Sequence, residues 1–161
     1  MARLIGIDPG LAVTGWGIVE AGRGGCGHLA HGVIRTRKKD GLAARLLRIR
    51  DDVASLVREW NVAGGAIEEA FVGVNASSAL ALGQARAAAI IGLAQSGLPV
   101  AGYSPNLVKQ TVSGYGHGEK GQIALMVRLQ LGLDDEPRPA DAADALAVAL
   151  THWAHWRFED R

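Results

Sequence analysis

Four acidic residues, far apart in the chain, stand where their carboxylates could act together. Asp8 follows the apolar run Leu4–Ile7, and Glu68 follows a second short apolar run, so each carboxylate is predicted at the end of a buried strand. Asp141 and Asp144 lie three residues apart, which places both side chains on one face of a predicted helix start. Carboxylate oxygens supplied by such elements favour a hard divalent cation, Mg²⁺ or Mn²⁺.

Four acids are enough to hold two such ions. Two ions about 3.5–4 Å apart suit in-line attack on a phosphodiester, because one activates the water and the other steadies the leaving oxygen. We therefore expect phosphodiester hydrolysis with two Mg²⁺ or Mn²⁺ ions, in which Asp8, Glu68, Asp141 and Asp144 serve as metal ligands and catalytic residues.

Each acid also has a purely structural explanation. Asp8 stands in Asp-Pro-Gly, a common turn sequence, and Asp141 and Asp144 complement the positive end of a helix dipole. Glu68 and Glu69 could form one charged strand edge, and because adjacent strand residues face opposite ways, only one of them can join Asp8. The alanines around Asp141 and Asp144 favour the confined, cation-binding alternative.

The elements that must position these acids follow from hydrophobic periodicity. Short apolar runs predict five strands, at 3–8, 14–20, 28–35, 65–70 and 98–103. Amphipathic or capped segments predict helices from about 40 to 60, over Ala76–Ser96, from Ser104-Pro105 onward, over Glu119–Leu131 and over Ala140–Trp156. The economical account is one α/β domain spanning 1–161.

The second predicted helix, Ala76–Ser96, is apolar nearly all round and has one charge, Arg86. A helix of this kind must be covered on more than one side. Cover by a second copy of the chain and burial wholly within one chain are both open alternatives.

Charge is unevenly distributed along the chain, although the net charge is only +1. Residues 31–50 carry seven Lys or Arg against one acid, whereas residues 133–161 are acidic, a combination that suits a polyanion held near bound cations. Cys26 is the single cysteine, which excludes a disulfide framework within the chain and favours a reducing cytoplasm. We expect no membrane span and no signal peptide.

The chain resembles the RuvC family of Holliday junction resolvases, and the matching segments cover about Arg3 to Trp156 in the family's order. They are Gly6–Gly10, Thr14-Gly15, Ile34–Thr36, Ala66–Glu68, Leu82–Arg86, Val108–Val112, Glu119-Lys120 and Ala140–Leu146. The resemblance implies an RNase H-like fold, with a five-stranded mixed sheet flanked by helices on both faces. It also implies a homodimeric endonuclease that nicks four-way DNA junctions symmetrically, in strands of like polarity, and works with the RuvA and RuvB proteins.

The resemblance assigns roles residue by residue. Asp8, Glu68, Asp141 and Asp144 match the family's acidic tetrad, and Lys120 matches a basic residue near the scissile phosphate. The expected DNA contacts come from an aromatic residue that stacks on bases and from basic residues along the backbone, namely Phe71, Lys109, Lys120, Arg35 and Arg37. Glu69 and His117 receive no assigned role.

Two other classes of protein share parts of this pattern. An actin-like kinase or ATPase also opens with a Gly-Ile-Asp-x-Gly turn, but its fold needs a duplicated domain, for which 161 residues are too few. A non-catalytic DNA-binding module would not need the acids. A nucleotide-hydrolysis assay tests the first class, and metal-dependent nicking of a junction tests the second.

Overall fold

The computed structural model of the chain describes residues 1–69, 75–114 and 120–156, with Lys120 and Gly121 described by their backbone alone. The predicted Phe71 and His117 therefore lie outside the described residues, and so does the side chain of Lys120.

Within the part of the chain that the structure describes, the sheet has five strands in the order β3-β2-β1-β4-β5. The first three form an antiparallel meander, and β4 and β5 continue the sheet in parallel with β1. This is the five-stranded mixed sheet that the resemblance to the RuvC family implies. The strands span Ala2–Asp8 (β1), Val13–Gly22 (β2), Gly25–Arg35 (β3), Gly64–Glu68 (β4) and Val100–Tyr103 (β5).

Helices cover both faces of the sheet, as expected. They span Leu42–Glu59 (α1), Ala76–Ala94 (α2), Pro105–Ser113 (α3), Lys120–Leu131 (α4) and Ala140–His155 (α5). One buried cluster joins the sheet to α1 and α2, and a second joins it to α3, α4 and α5. The predicted caps are present, because Asn75 accepts from the Ser78 N–H and Ser104 accepts from the Leu107 N–H.

The expectation that no segment could span a membrane is wrong for α2. By length and composition alone, this helix of 19 residues could cross a bilayer. Ser, Gly and Gln residues interrupt this helix, so the sequence contains no uninterrupted apolar run of that length. In the structure α2 packs against α1 and buries Ala85, Ala89 and Leu93, and helices of a protein core pass the same test of length and composition.

Candidate active site

Strand alternation selects the acids that share a face of the sheet. Leu4 and Ala66 belong to the cluster under α5, whereas Ile5, Ile7 and Ile67 belong to the cluster under α1 and α2. Side chains two residues apart in a strand share a face. Asp8 at the end of β1 and Glu68 at the end of β4 therefore lie on the α5 face.

Glycines bring α5 unusually close to the same strand ends. A side chain on Gly6 would collide with the backbone of Ala145 and Ala149, and one on Gly15 would collide with the carbonyl oxygen of Asp141. Gly15 is the ladder partner of Asp8 across β1 and β2. The start of α5, with its two acids, is thus pressed onto the end of β1.

The three other acids lie close enough to Asp8 to affect its pKa. Burial raises this pKa to about 8, and the negative charges of Glu68, Asp144 and Asp141 add to the effect. The two side chains of Asp8 and Glu68 are hydrogen-bonded to each other. The structure therefore brings all four predicted acids into one electrostatic site.

The pKa of Glu68 is also raised, by burial first and by the charge of Asp144 second. The hydrogen bond from Asp8 and the positive charge of Lys109 act in the opposite direction. Lys109, predicted as a basic residue of the site, lies near enough to favour the ionised carboxylate of Glu68.

A cavity of about 190 Å³ opens beside these groups. Glu68, Asp144 and Lys109 supply its polar wall. Its apolar wall was not predicted from the sequence and comes from Pro105, Val108, Ile123 and Ala147. The only sequence signal for this wall is the helical spacing of Val108 and Val112, which places both on the buried side of α3.

Carboxylates that repel one another in a half-buried cavity have the chemistry of a site for hard cations. Among the residues that the structure describes, however, no three acidic, histidine or cysteine side chains are arranged to bind one metal ion together. Asp8 and Glu68 are hydrogen-bonded to each other instead. Shared cation binding therefore requires these side chains to turn toward the ion.

The turn that follows Asp8 is fixed by a buried hydroxyl. Thr14 is fully buried and donates from its hydroxyl to the carbonyl oxygen of Gly10 at 2.7 Å. The N–H of Gly10 donates back to the same hydroxyl at 3.3 Å. Thr14 in β2 thus ties down the backbone two residues beyond the carboxylate.

The remaining predicted residues lie elsewhere or outside the described part. Arg35 and Arg37 line a separate surface cavity of about 460 Å³ beside the start of α1. Glu69 is directed away from Asp8 and lies 3.8 Å from the guanidinium of Arg86 in α2. This confirms that only one of the two adjacent glutamates joins Asp8.

Known proteins resemble the chain over most of its length. The family model described as "Crossover junction endodeoxyribonuclease RuvC" matches residues 4–152. Proteins of that name from Methylocella silvestris and a Roseiflexus species are 46% and 47% identical to it over 150 residues. These alignments cover 93% of this chain and 85% and 89% of the two relatives.

Solved structures give the same result. Thermus thermophilus RuvC in complex with a Holliday junction substrate superimposes with a TM-score of 0.88 and 37% identity, covering 94% of this chain and 93% of that one. The yeast mitochondrial resolvase Ydc2 shares the fold at a TM-score of 0.67 with 13% identity, covering 96% of this chain and 81% of that one.

Proposed function

The chain belongs to the RuvC family of crossover junction endodeoxyribonucleases, and from that premise we propose that it resolves four-way (Holliday) DNA junctions in recombination and repair. The cuts are paired, symmetric nicks in strands of like polarity. The observation that carries this proposal is the convergence of acids from β1, β4 and α5 on one half-buried site.

The family is one of metal-dependent nucleases, and the donor set fits two Mg²⁺ or Mn²⁺ ions held by Asp8, Glu68, Asp141 and Asp144. Such ions supply an activated water and stabilise the leaving oxygen of the phosphodiester. Lys109 favours the ionised state of Glu68 and so favours its use as a ligand. Lys120, at the start of α4, is proposed to contact the scissile phosphate.

DNA binding is proposed to depend mainly on phosphate contacts. The basic side chains of Arg35, Arg37, Lys109 and Lys120 would make them, so affinity should fall steeply with salt. Phe71, which follows β4 in the chain, is proposed to stack on bases near the junction centre.

A second copy of the chain is proposed to cover α2. The side chains of Leu80 and Ile91 are 64% and 49% exposed, although the helix is apolar nearly all round. A homodimer would bury these side chains and place two active sites on one junction, as paired nicking requires. Cooperation with RuvA and RuvB in the cytoplasm completes the proposal and rests on family membership.

The test is nicking of a synthetic four-way junction with Mg²⁺, Mn²⁺ or Ca²⁺, beside a linear duplex of the same sequence. We expect metal-dependent, symmetric nicks in the junction alone. Asp8→Asn should retain the fold and junction binding yet abolish nicking, because an amide is a poorer ligand for a hard cation.

Two results would contradict the proposal. Nicking that persists in Asp8→Asn would remove Asp8 from the mechanism. Junction binding without nicking under any of the three metals would instead identify the chain as a non-catalytic DNA-binding module.

A further inference from the structure

The turn after Asp8 is held on its outer side by Thr36, which directly follows β3. The backbone N–H of Thr36 donates to the carbonyl oxygen of Ala12 at 3.0 Å. The Thr36 hydroxyl donates to the carbonyl oxygen of Leu11. One residue therefore fixes two consecutive peptide units of the turn that begins at the predicted metal ligand.

Arg45 in the first turn of α1 extends this connection to the surface. Its Nε–H donates to the Thr36 hydroxyl oxygen at 2.9 Å. That hydroxyl thus accepts from a guanidinium and donates to the Leu11 carbonyl, which makes a continuous chain from a basic side chain to the turn. A guanidinium has five N–H donors, so Arg45 retains others for a second ligand.

Arg45 also lines the surface cavity of about 460 Å³ together with Arg35, Arg37 and Arg48. We call this cavity the arginine cavity. Two of its arginines have carboxylate partners, since Arg37 lies 3.2 Å from Asp40 and Arg48 lies 2.5 Å from Asp52. Four guanidinium groups around one opening provide the chemistry of a site for a backbone phosphate.

We propose that Arg45 and Thr36 are positioning residues, through which a DNA phosphate bound in the arginine cavity fixes the turn that carries Asp8. The inference rests on the proposed nuclease function and adds a connection between the DNA surface and the metal site. When a catalytic group is displaced by as little as about 1 Å, the reaction rate can fall about a hundredfold. Loss of this connection should therefore lower the rate of nicking at saturating protein, and not only the affinity for DNA.

The experiment compares Thr36→Val, Thr36→Ser, Arg45→Gln and Arg48→Gln with the parental full-length chain. Valine keeps the branched shape of threonine but has no hydroxyl, whereas serine keeps the hydroxyl. Arg48→Gln removes one charge from the same cavity without touching Thr36, so it is the matched contrast for Arg45→Gln. Affinity for the junction is measured in EDTA, and the single-turnover nicking rate is measured at saturating protein across a Mn²⁺ titration.

We expect both arginine variants to lose affinity several-fold, because each removes a charge from the phosphate-binding surface. Thr36→Val and Arg45→Gln should also lose about tenfold or more of the saturated nicking rate and need more Mn²⁺ to reach half of it. Thr36→Ser should restore the rate, and Arg48→Gln should lose much less of the saturated rate than Arg45→Gln does.

Two results would overturn the inference. One is a saturated rate in Thr36→Val and Arg45→Gln that equals the parental rate. The other is an equal loss in Arg48→Gln, which would assign the effect to charge alone. Arg45 is a half-buried surface residue, so Arg45→Gln still tests the inference if Thr36→Val does not fold. Failure of the parental chain to nick junctions would contradict the proposed function itself and is seen in the same experiment.

Discussion

Helices α2 and α5 have similar compositions, rich in alanine with few charges, yet they lie in opposite surroundings. Ten residues of α5, from Ala142 to His152, are buried by the sheet and the neighbouring helices. In α2 the buried residues occupy one side, and Leu80 and Ile91 are largely exposed. The chain itself therefore buries most of α5, whereas α2 keeps an exposed apolar surface.

Glycines account for the first half of this difference. Gly6, Gly15 and Gly17 lie on β1 and β2 where α5 packs directly against the strands. A side chain on Gly17 would come within 2.6 Å of Leu146. On α2 the glycine at position 83 faces open space. Close approach on the α5 face brings two acids onto the strand ends, whereas α2 keeps a surface that a partner can cover.

Gly6→Ala tests the close approach of α5 to the sheet and should have the greatest effect on stability. A methyl group in Gly6→Ala would collide with the backbone of Ala145 and Ala149, which cannot move as a flexible side chain could. We expect the free energy of unfolding to fall by about 3 kcal/mol or more, at or above the upper range for overpacked cores. Chemical denaturation monitored by circular dichroism measures this loss.

Gly24→Ala is the matched control, because a side chain at Gly24 meets nothing within 4 Å. It should change the free energy of unfolding by less than about 0.5 kcal/mol. Equal stabilities for the two variants would show that α5 does not lie against β1 as described.

The next effect concerns the carboxyl group of Asp8, which lies half-buried on the α5 face of the sheet. Asp8 has a pKa of about 8 in the folded chain against an ordinary value of 3.8, so the folded state keeps a proton that the unfolded state has lost. The free energy of unfolding should therefore fall as the pH rises toward 8 in the absence of metal. Asp8→Asn should remove much of this slope and raise the melting temperature in EDTA near pH 8 by several degrees.

The measurement is thermal unfolding from about pH 6.5 to about pH 8, with EDTA or with Mn²⁺. Burial first and the charge of His155 second lower the pKa of His152 to about 4, so this residue adds a slope of opposite sign near pH 6.5. Both chains carry His152, so the contribution of Asp8 is the difference between the parental chain and Asp8→Asn. Bound Mn²⁺ should stabilise the parental chain more than Asp8→Asn. A parental chain whose stability in EDTA changes with pH in the same way as that of Asp8→Asn would contradict the buried acidic site.

A substitution on α2 should change the stability of the monomer least, but it should weaken dimer formation strongly. Leu80→Glu places a charge on an exposed apolar side chain, so the monomer should retain its stability within about 0.5 kcal/mol. If a second copy covers α2, the dimer dissociation constant should rise by about tenfold or more. Sedimentation velocity over a concentration series measures it.

Leu129→Glu is the control for that experiment. Leu129 in α4 is 57% exposed, close to the 64% of Leu80, but lies on the opposite side of the sheet. It should leave the dimer unchanged. Dissociation by both variants, or by neither, would move the dimer interface away from α2.

Much of the fold follows from local sequence signals. The strand runs, the Asn75 and Ser104 caps and the choice of one glutamate from the pair at 68 and 69 depend on short-range rules that the structure bears out. The fifth strand begins at Val100, later than the predicted residue 98, because Pro99 has no N–H to donate to a neighbouring strand.

The connections between distant segments could not be predicted in this way. The chain from Arg45 through Thr36 to Leu11 joins α1, the end of β3 and the turn after β1, and no periodicity in the sequence places them together. The apolar wall of the active-site cavity depends likewise on how α3 and α4 pack against α5. These features arise from tertiary packing, which local patterns do not encode.

A crystal structure of the chain grown with Mn²⁺, with anomalous scattering used to place the ions, shows directly whether the four acids share one metal site. We expect manganese within about 2.0–2.2 Å of carboxylate oxygens from Asp8 and Glu68, with Asp141 and Asp144 completing the two sites. Saturating Mn²⁺ that gives no anomalous peak between these four side chains would contradict this expectation.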